Sequence, residues 1–390
     1  MSDRLQRAAD KVARICTEQR DLVSLWTATT DVLVTAVPHY WTPCYYTVDP
    51  ATLLITSHFH HGLDHFPAEW LASEYYEDDA NKIVDVARSE TGVATLHEAT
   101  GNDPSSSPKW QRNMTMGGDQ EVLARLRTRS GDVWGVLGLY RAPGEEPFSE
   151  PEKDFLRSIS GALADGARGA LLLGQARDPD LPDAPSLVVV DSTWSVDSAT
   201  PGAERWLEEL PDGDPATGRL PSAMTAVAAR ALRIARDPGS GDIAVARVQT
   251  KSGSWAVIHG SVILGSGDPR VALIIEAAAP GRLGTLLMSV YALTDREKDI
   301  AGLVLQGAST AQIAAALFVS AHTVQQHLKS IFEKTGVHSR RELIGRVFFS
   351  HFEPRLRDNE HRVLDDKPVR GGPWSASRGD MQVSDKLGVL

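Results

Sequence analysis

One stretch near the C-terminal end leaves the chain little freedom. It is LTDREKDIAGLVLQGASTAQIAAALFVSAHTVQQHLKSIFEKTGVHSRRELIGRVFF, residues 293–349. Three capping boxes punctuate it: Thr294 with Glu297, Ser309 with Gln312, and Ser339 with Glu342. In each, a hydroxyl can accept from an early helix N–H while the Glu or Gln reaches back to the cap. Gly307 and Gly336 stand where helices should end in a left-handed turn. Between these punctuation marks the apolar residues keep helical spacing: Ile300, Leu303, Val304; Ile313, Ala314, Leu317; Val324, Leu328, Ile331; Leu343, Ile344, Val347. Four short helices with tight connections are expected.

The third of these, roughly 321–335, is expected to turn Val324, Leu328 and Ile331 inward. His322, Gln325, Gln326, Lys329 and Glu333 then fall on the opposite side. Glutamine can bond adenine through both amide atoms, and lysine can reach guanine or phosphate, so such a face suits a DNA major groove. A solvated polar face would look much the same. The motifs LTDRE, QGASTAQIA and SAHTVQQHLKSIFEKTGVHSR decide between the two, because the segment resembles the LuxR-type helix-turn-helix. That resemblance implies base-reading positions at Gln325, Gln326 and Lys329. It also implies phosphate-anchoring positions near Ser320, Thr323, Lys334 and Arg340. Many members of the family carry lysine where this chain has Gln325, which weakens the electrostatic attraction.

Charge agrees on where DNA would be met. The chain carries a formal net charge of −11. Residues 291–350 hold seven Lys/Arg against five Asp/Glu, and 1–290 hold 26 against 39. Phosphate contacts are therefore sought in the C-terminal segment.

The length of 390 residues suggests two or three domains. Residues 4–36 read as helix, 43–49 and 53–59 as strands, 67–90 as helix. Two strand runs, 120–128 and 134–140, flank a hairpin signal, and 150–175 is helical. The linker Arg177-Asp178-Pro179-Asp180-Leu181-Pro182-Asp183-Ala184-Pro185 is rich in proline and aspartate. Beyond it, strands are expected at 186–190, 194–198, 244–250, 254–259 and 270–276, with helices at 201–210 and 223–236. RTRSGDVWGVLGLY (127–140) and VQTKSGSWAVIHGS (248–261) share a strand, a basic-Ser-Gly turn, and a strand with an early tryptophan. By element order the first unit resembles a GAF domain. The second resembles a PAS domain, chiefly in LVVVDSTWSVDSATPGAERWL (187–207).

The expected fold class is α+β: GAF-like and PAS-like antiparallel-sheet sensor domains, then an all-α four-helix LuxR-type helix-turn-helix domain. The expected boundaries are 1–176, a linker at 177–185, 186–285, 289–352, and a poorly ordered tail at 353–390.

One further cluster asks for an explanation. LLITSHFHHGLDH (53–65) holds four histidines behind an apolar run and looks like the metal-binding H-x-H-x-D-H signature of the metallo-β-lactamase fold. Here the spacing is longer by two, which moves Asp64 and His65 away from the positions that would let them join His58 and His60 on a metal. A hydrolase using His58–His65 is therefore the remote alternative, and no metal, cofactor or enzymatic activity is expected. A closer alternative places His58 and His60 in a ligand pocket with Cys44, Tyr46 and His97. Cys16 and Cys44, the two cysteines, imply no disulfide framework. No apolar run approaches the roughly 20 residues that span a bilayer, and the N-terminus lacks a signal-peptide core. The reading is a cytoplasmic regulator binding double-stranded DNA as a homodimer, under an unknown small-molecule effector. The variant within the class is a quorum-type regulator responding to an acyl-lactone.

Overall fold

The computed structural model describes residues 2–62, 66–173, 185–214, 217–265, 268–278, 288–289 and 291–343. The linker at 177–185, save Pro185, and the tail at 353–390 lie outside the described residues.

The first expected helix is two. Helix α1 spans Asp3–Thr17 and α2 spans Leu22–Ala36. They part at Asp21, whose carboxylate accepts the Ser24 N–H at 2.9 Å and so starts a new helix. A five-stranded antiparallel sheet follows: β1 Cys44–Val48, β2 Ile55–Phe59, β3 Val93–Thr95, β4 Gln120–Arg127 and β5 Val133–Arg141, in the order β2-β1-β5-β4-β3. The helix expected over 67–90 is also two, α3 Ala68–Tyr76 and α4 Ile83–Arg88, separated by a turn with Asn81 at φ 55°. Two short helices the sequence pattern did not disclose, α5 Leu96–Ala99 and α6 Pro108–Thr115, precede β4. The long helix α7 covers Glu150–Leu173. It packs with α1 and α2 on one sheet face, where Trp26, Leu33, Phe155 and Leu163 bury against Tyr45 and Leu137. The Trp26 and Tyr45 rings stack at 4.5 Å, and the Tyr45 hydroxyl hydrogen-bonds Thr29.

The second sheet contains β6 Ser186–Val190, β7 Val196–Ala199, β8 Val245–Gln249, β9 Trp255–Ile263 and β10 Arg270–Ala277, with helices α8 Ala203–Glu209 and α9 Ser222–Arg236. Its order is β7-β6-β10-β9-β8. Counted within each unit, both sheets run second, first, fifth, fourth, third. The two look-alike hairpins, however, fall at different places. One joins the fourth and fifth strands of its sheet (β4 and β5), the other the third and fourth (β8 and β9). Their shared pattern reflects hairpin chemistry rather than equivalent positions.

The two sheets do not sit apart. Leu54, Ile55, Ala72 and Tyr75 of the first unit and Met224, Val227, Ile258 and Leu273 of the second belong to one buried cluster. Helix α9 lies against both α3 and its own sheet. Its approach to β9 is so close that a Cβ on Gly260 would stand 2.7 Å from Val227 Cγ1. Across the same junction the Asp49 carboxylate accepts from Arg247 twice, Nη2 to Oδ1 at 2.6 Å and Nε to Oδ2 at 2.9 Å, and from the Arg247 backbone N–H at 2.9 Å.

The C-terminal unit contains α10 Asp295–Leu305, α11 Thr310–Ala316 and α12 Ala321–Thr335, with the described residues ending in a further helical turn at 340–343. Ile300, Val304, Ile313, Val324, Leu328, Ile331 and Leu343 make its core. The expected Ile344 and Val347 lie outside the described residues. Capping boxes form at Thr294 and Ser309. At Ser339 the hydroxyl accepts the Glu342 N–H at 3.1 Å, but the Glu342 carboxylate reaches the His338 N–H, one residue earlier than in a capping box. Gly307 and Gly336 adopt φ +85° and +66°, as the sequence anticipated.

Candidate functional site

Helix α12 starts where Ser320 accepts the Thr323 N–H at 3.0 Å. Val324, Leu328 and Ile331 are buried, while His322, Gln325, Gln326, Lys329 and Glu333 are exposed, so the helix carries the expected division of faces. The Gln326 amide contacts the His322 ring at 3.2 Å, an i, i+4 pair along that exposed face. Gln325 donates to the Thr310 hydroxyl at 3.2 Å.

Two residues marked for phosphate contact are engaged inside the unit. Arg340 donates to the Ala308 carbonyl and to the Thr310 hydroxyl, both at 2.8 Å, and so ties the turn after α12 to the start of α11. Lys334 donates to Glu297 at 2.6 Å. Glu297 also accepts from the Ser330 hydroxyl at 2.6 Å and the Thr294 N–H at 2.7 Å. Burial opposes its ionisation, yet these donors hold the carboxyl down at about 2. The resemblance that marked Lys334 and Arg340 could not show these internal partners.

Phe318, between α11 and α12, has φ 55° and is 95% exposed. A left-handed backbone strains a side chain that gains nothing from burial. Phe318→Gly is therefore expected to keep the fold and raise its stability by up to about 1 kcal/mol. Thermal melting checks this. A decrease of that size would mean the ring helps to hold the turn.

The C-terminal unit rests on the first sheet's hairpin. Lys298 of α10 donates to both Asp132 oxygens at 3.0 and 3.3 Å, and Ser289 adds a hydrogen bond of 3.3 Å to the same carboxylate.

The histidines have another setting. Tyr46 and His58 are cross-strand partners on β1 and β2, and their rings stack at 4.5 Å and 9°. His58 also stacks with Phe66 at 14°, and Phe66 with Trp70 at 18°. His60 leans on Phe66 at 5.5 Å. Among the described residues no three His, Cys, Asp or Glu side chains converge to hold a metal ion. Asp64 and His65 lie outside the described residues.

Tyr46, His58 and His60 line a cavity of about 90 Å³, with Trp41, Phe66, Trp70 and Asn113 from the first unit and Asp212, Ser222 and Thr225 from the second. The other two candidates are elsewhere. Cys44 is buried against Trp41 and Tyr140, and burial pushes its thiol up to about 12, so it behaves as a small apolar side chain. His97 sits on α5 with its Nε2 3.7 Å from Asp119 and does not line the cavity. The segment FPAEWLASEYY (66–76) was the sequence signal for the missed aromatics. Asp212 carried no signal: it reaches across the junction, accepting from the His58 N–H at 2.6 Å and the Ser222 N–H at 2.8 Å. Burial raises its carboxyl to about 6.

Three capped helices with an outward polar face on the third have the build of a helix-turn-helix. Residues 291–347 match the bacterial regulatory proteins of the luxR family. The spore germination protein GerE of Bacillus subtilis is 36% identical over 52 residues, which cover 13% of this chain and 70% of GerE. The chain belongs to the luxR family of bacterial regulatory proteins. Other relatives are the monoamine regulon transcriptional regulator of Klebsiella aerogenes, 46% identical over 56 residues (14% of this chain, 25% of that protein), and the probable transcriptional regulatory protein SgaR of Hyphomicrobium methylovorum, 28% identical over 127 residues (30% and 55%). The chain thus spans a quarter and about half of these two relatives' lengths. Among solved structures, the GAF domain of an Acinetobacter phosphoenolpyruvate-protein phosphotransferase aligns with 45% of this chain and 99% of its own, at 16% identity and a TM-score of 0.31. Escherichia coli SdiA aligns with 89% and 98%, at 11% identity and a TM-score of 0.30. These scores describe distant likeness only. Among the described residues, no helix is long and apolar enough to cross a membrane.

Proposed function

We propose that the chain acts in the cytoplasm as a transcription regulator that binds double-stranded operator DNA as a homodimer and answers to a small-molecule effector. Its working parts are a GAF-like unit at 1–176, a linker at 177–185, a PAS-like unit at 186–285 and the helix-turn-helix at 289–352. The observation that carries this reading is the exposed row Gln325, Gln326, Lys329 on α12, set opposite the buried stripe Val324, Leu328, Ile331. A helix of this build places its N-terminal residues against base edges in the major groove. Ser320 and Thr323 at the helix start, with Lys334 and Arg340, would meet phosphates. Pairing through α2 and α7 is supported by Val23 and Val34, two valines that α2 leaves exposed. The effector would enter the cavity that residues of both units line.

Fluorescence anisotropy over a salt series tests this, with an operator selected from a pool of random duplexes and with an unselected duplex. Gln326→Ala is expected to cost about 1–3 kcal/mol on the operator, to relax preference at one position per half-site, and to cost little on unselected DNA. Arg340→Ala is expected to weaken both duplexes and to lower the salt slope by about one for each phosphate left unneutralised. Because Arg340 also braces α11, circular dichroism must show the variant folded. Equal weakening of both duplexes by Gln326→Ala would reverse the assigned orientation of α12.

A further inference from the structure

We infer that the cavity between the first sheet and the start of α9 takes a neutral, single planar ring bearing one hydrogen-bond acceptor, an assignment that rests on the effector reading above. Shape comes first. Tyr46, His58, Phe66 and Trp70 form a run of rings whose successive planes differ by only 9°, 14° and 18°. Trp41 closes one side, 6.1 Å from Phe66 and 4.5 Å from Tyr140. Such walls favour a flat aromatic guest, which stacks offset or meets ring edges, over a puckered one.

Size comes second. The space is about 90 Å³, while an apolar cavity of about 150 Å³ admits benzene. One ring fits only where the walls yield or part of it stays in the mouth, and a long acyl chain fits less well still.

Polarity comes third. Asn113 lines the cavity, is 7% exposed, and its Nδ2 has no hydrogen-bond partner. A buried donor left unmatched costs about 1–3 kcal/mol, which an acceptor on the guest would recover. The charges in the wall are already matched to one another. Lys109 is held by Glu74 at 2.8 Å, Glu121 at 3.1 Å and the Asn81 carbonyl at 2.8 Å. Arg112 is held by Glu77 at 2.9 Å and the Ser73 hydroxyl at 2.7 Å. Asp212 is held by two backbone N–H groups. Arg219, the remaining cation of the wall, is turned to Asp212, donating its Nε to that residue's carbonyl at 2.9 Å and acting on its carboxylate. An anionic guest would have to compete with these acids, so the ring is neutral. Ser222 and Thr225 bring the first turn of α9 into the wall. The guest therefore touches both units, and its binding stabilises them together.

The test uses the full chain and four probes: benzamide, benzoate, cyclohexanecarboxamide and N-octanoyl homoserine lactone. Calorimetry and thermal melting read the result. Benzamide is expected to bind and to raise the melting temperature, at least about tenfold tighter than benzoate, whose charge must compete with the wall's own acids, or cyclohexanecarboxamide, which keeps the acceptor but loses the flat ring. Asn113→Leu, which removes the donor and nearly keeps the shape, is expected to weaken benzamide by about tenfold, the loss expected of one hydrogen bond, without reversing the ranking. If this variant does not fold, the ranking of the four probes on the unaltered chain decides. Tighter binding of the octanoyl lactone overturns the ring assignment and leaves the cavity as an effector site. No response to any probe at millimolar concentration overturns the inference, while the DNA assay above judges the regulator reading separately.

Discussion

Replacing Asp49 with alanine is expected to cost about 3–5 kcal/mol, the size of effect seen when one partner of a buried ion pair is removed. Its side chain is fully buried, and that of Arg247 is 11% exposed. The carboxylate also accepts the Ala51 N–H at 3.0 Å, so one group closes the β1–β2 turn and fastens β8 of the other sheet. Alanine would leave the guanidinium without its carboxylate in a place water barely reaches. Urea unfolding measures the effect. The double variant Asp49→Ala with Arg247→Met should recover much of the stability, because the stranded charge goes too. If Asp49→Ala alone costs under about 1 kcal/mol, the pair behaves like a surface ion pair and the junction is held by apolar packing.

Glu297→Ala is expected to cost about 2–3 kcal/mol within the C-terminal unit, the scale of hydrogen bonds to a charged group, since Lys334 is exposed and is not left buried without a partner. The substitution removes the back-reaching half of the first capping box and both links from α10 to α12, through Ser330 and Lys334. DNA affinity is expected to fall with it, since α12 is then held to α10 by apolar packing alone. The same carboxyl sets an acid limit. Its folded value, about 2, lies below the ordinary 4.5. The stabilisation is therefore complete above about 4.5 and disappears as pH falls toward about 2. Circular dichroism of the unaltered chain and of Glu297→Gln, compared from about pH 7 down to about 2, should show the variant without this part of the pH dependence. An identical acid profile in both would refute the role given to Glu297.

What could be read from sequence follows the range of the interactions involved. The caps at Thr294 and Ser309 act on backbone three residues away, so their letters carry the information, whereas at Ser339 the hydroxyl caps as expected but Glu342 reaches back to His338. β6 was placed to the residue because turn residues bracket a short β-branched run. The break at Asp21 was overlooked because apolar spacing continues through it, and only the cap decides. β3 and α6 escaped because each is too short to complete a periodic pattern. The cavity was half legible. Tyr46, His58 and His60 lie on or beside neighbouring strands, but Asn113 and Asp212 join them only once the chain has folded back from far along its length. For Cys44 and His97, residue type suggested chemistry that their surroundings do not support.

The apolar cluster that runs from Leu54 through Met224 to Leu273 has a bearing on protein engineering. Modular sensors are often treated as cassettes, cut at a proline-rich joint and spliced onto a different output. A cut at the joint around 180 would here divide one interior in two, leaving α3 bare on one fragment and α9 on the other. Grafts that transplant residues 2–278 as one block should remain soluble, whereas exchanging either half alone should yield aggregating chimeras.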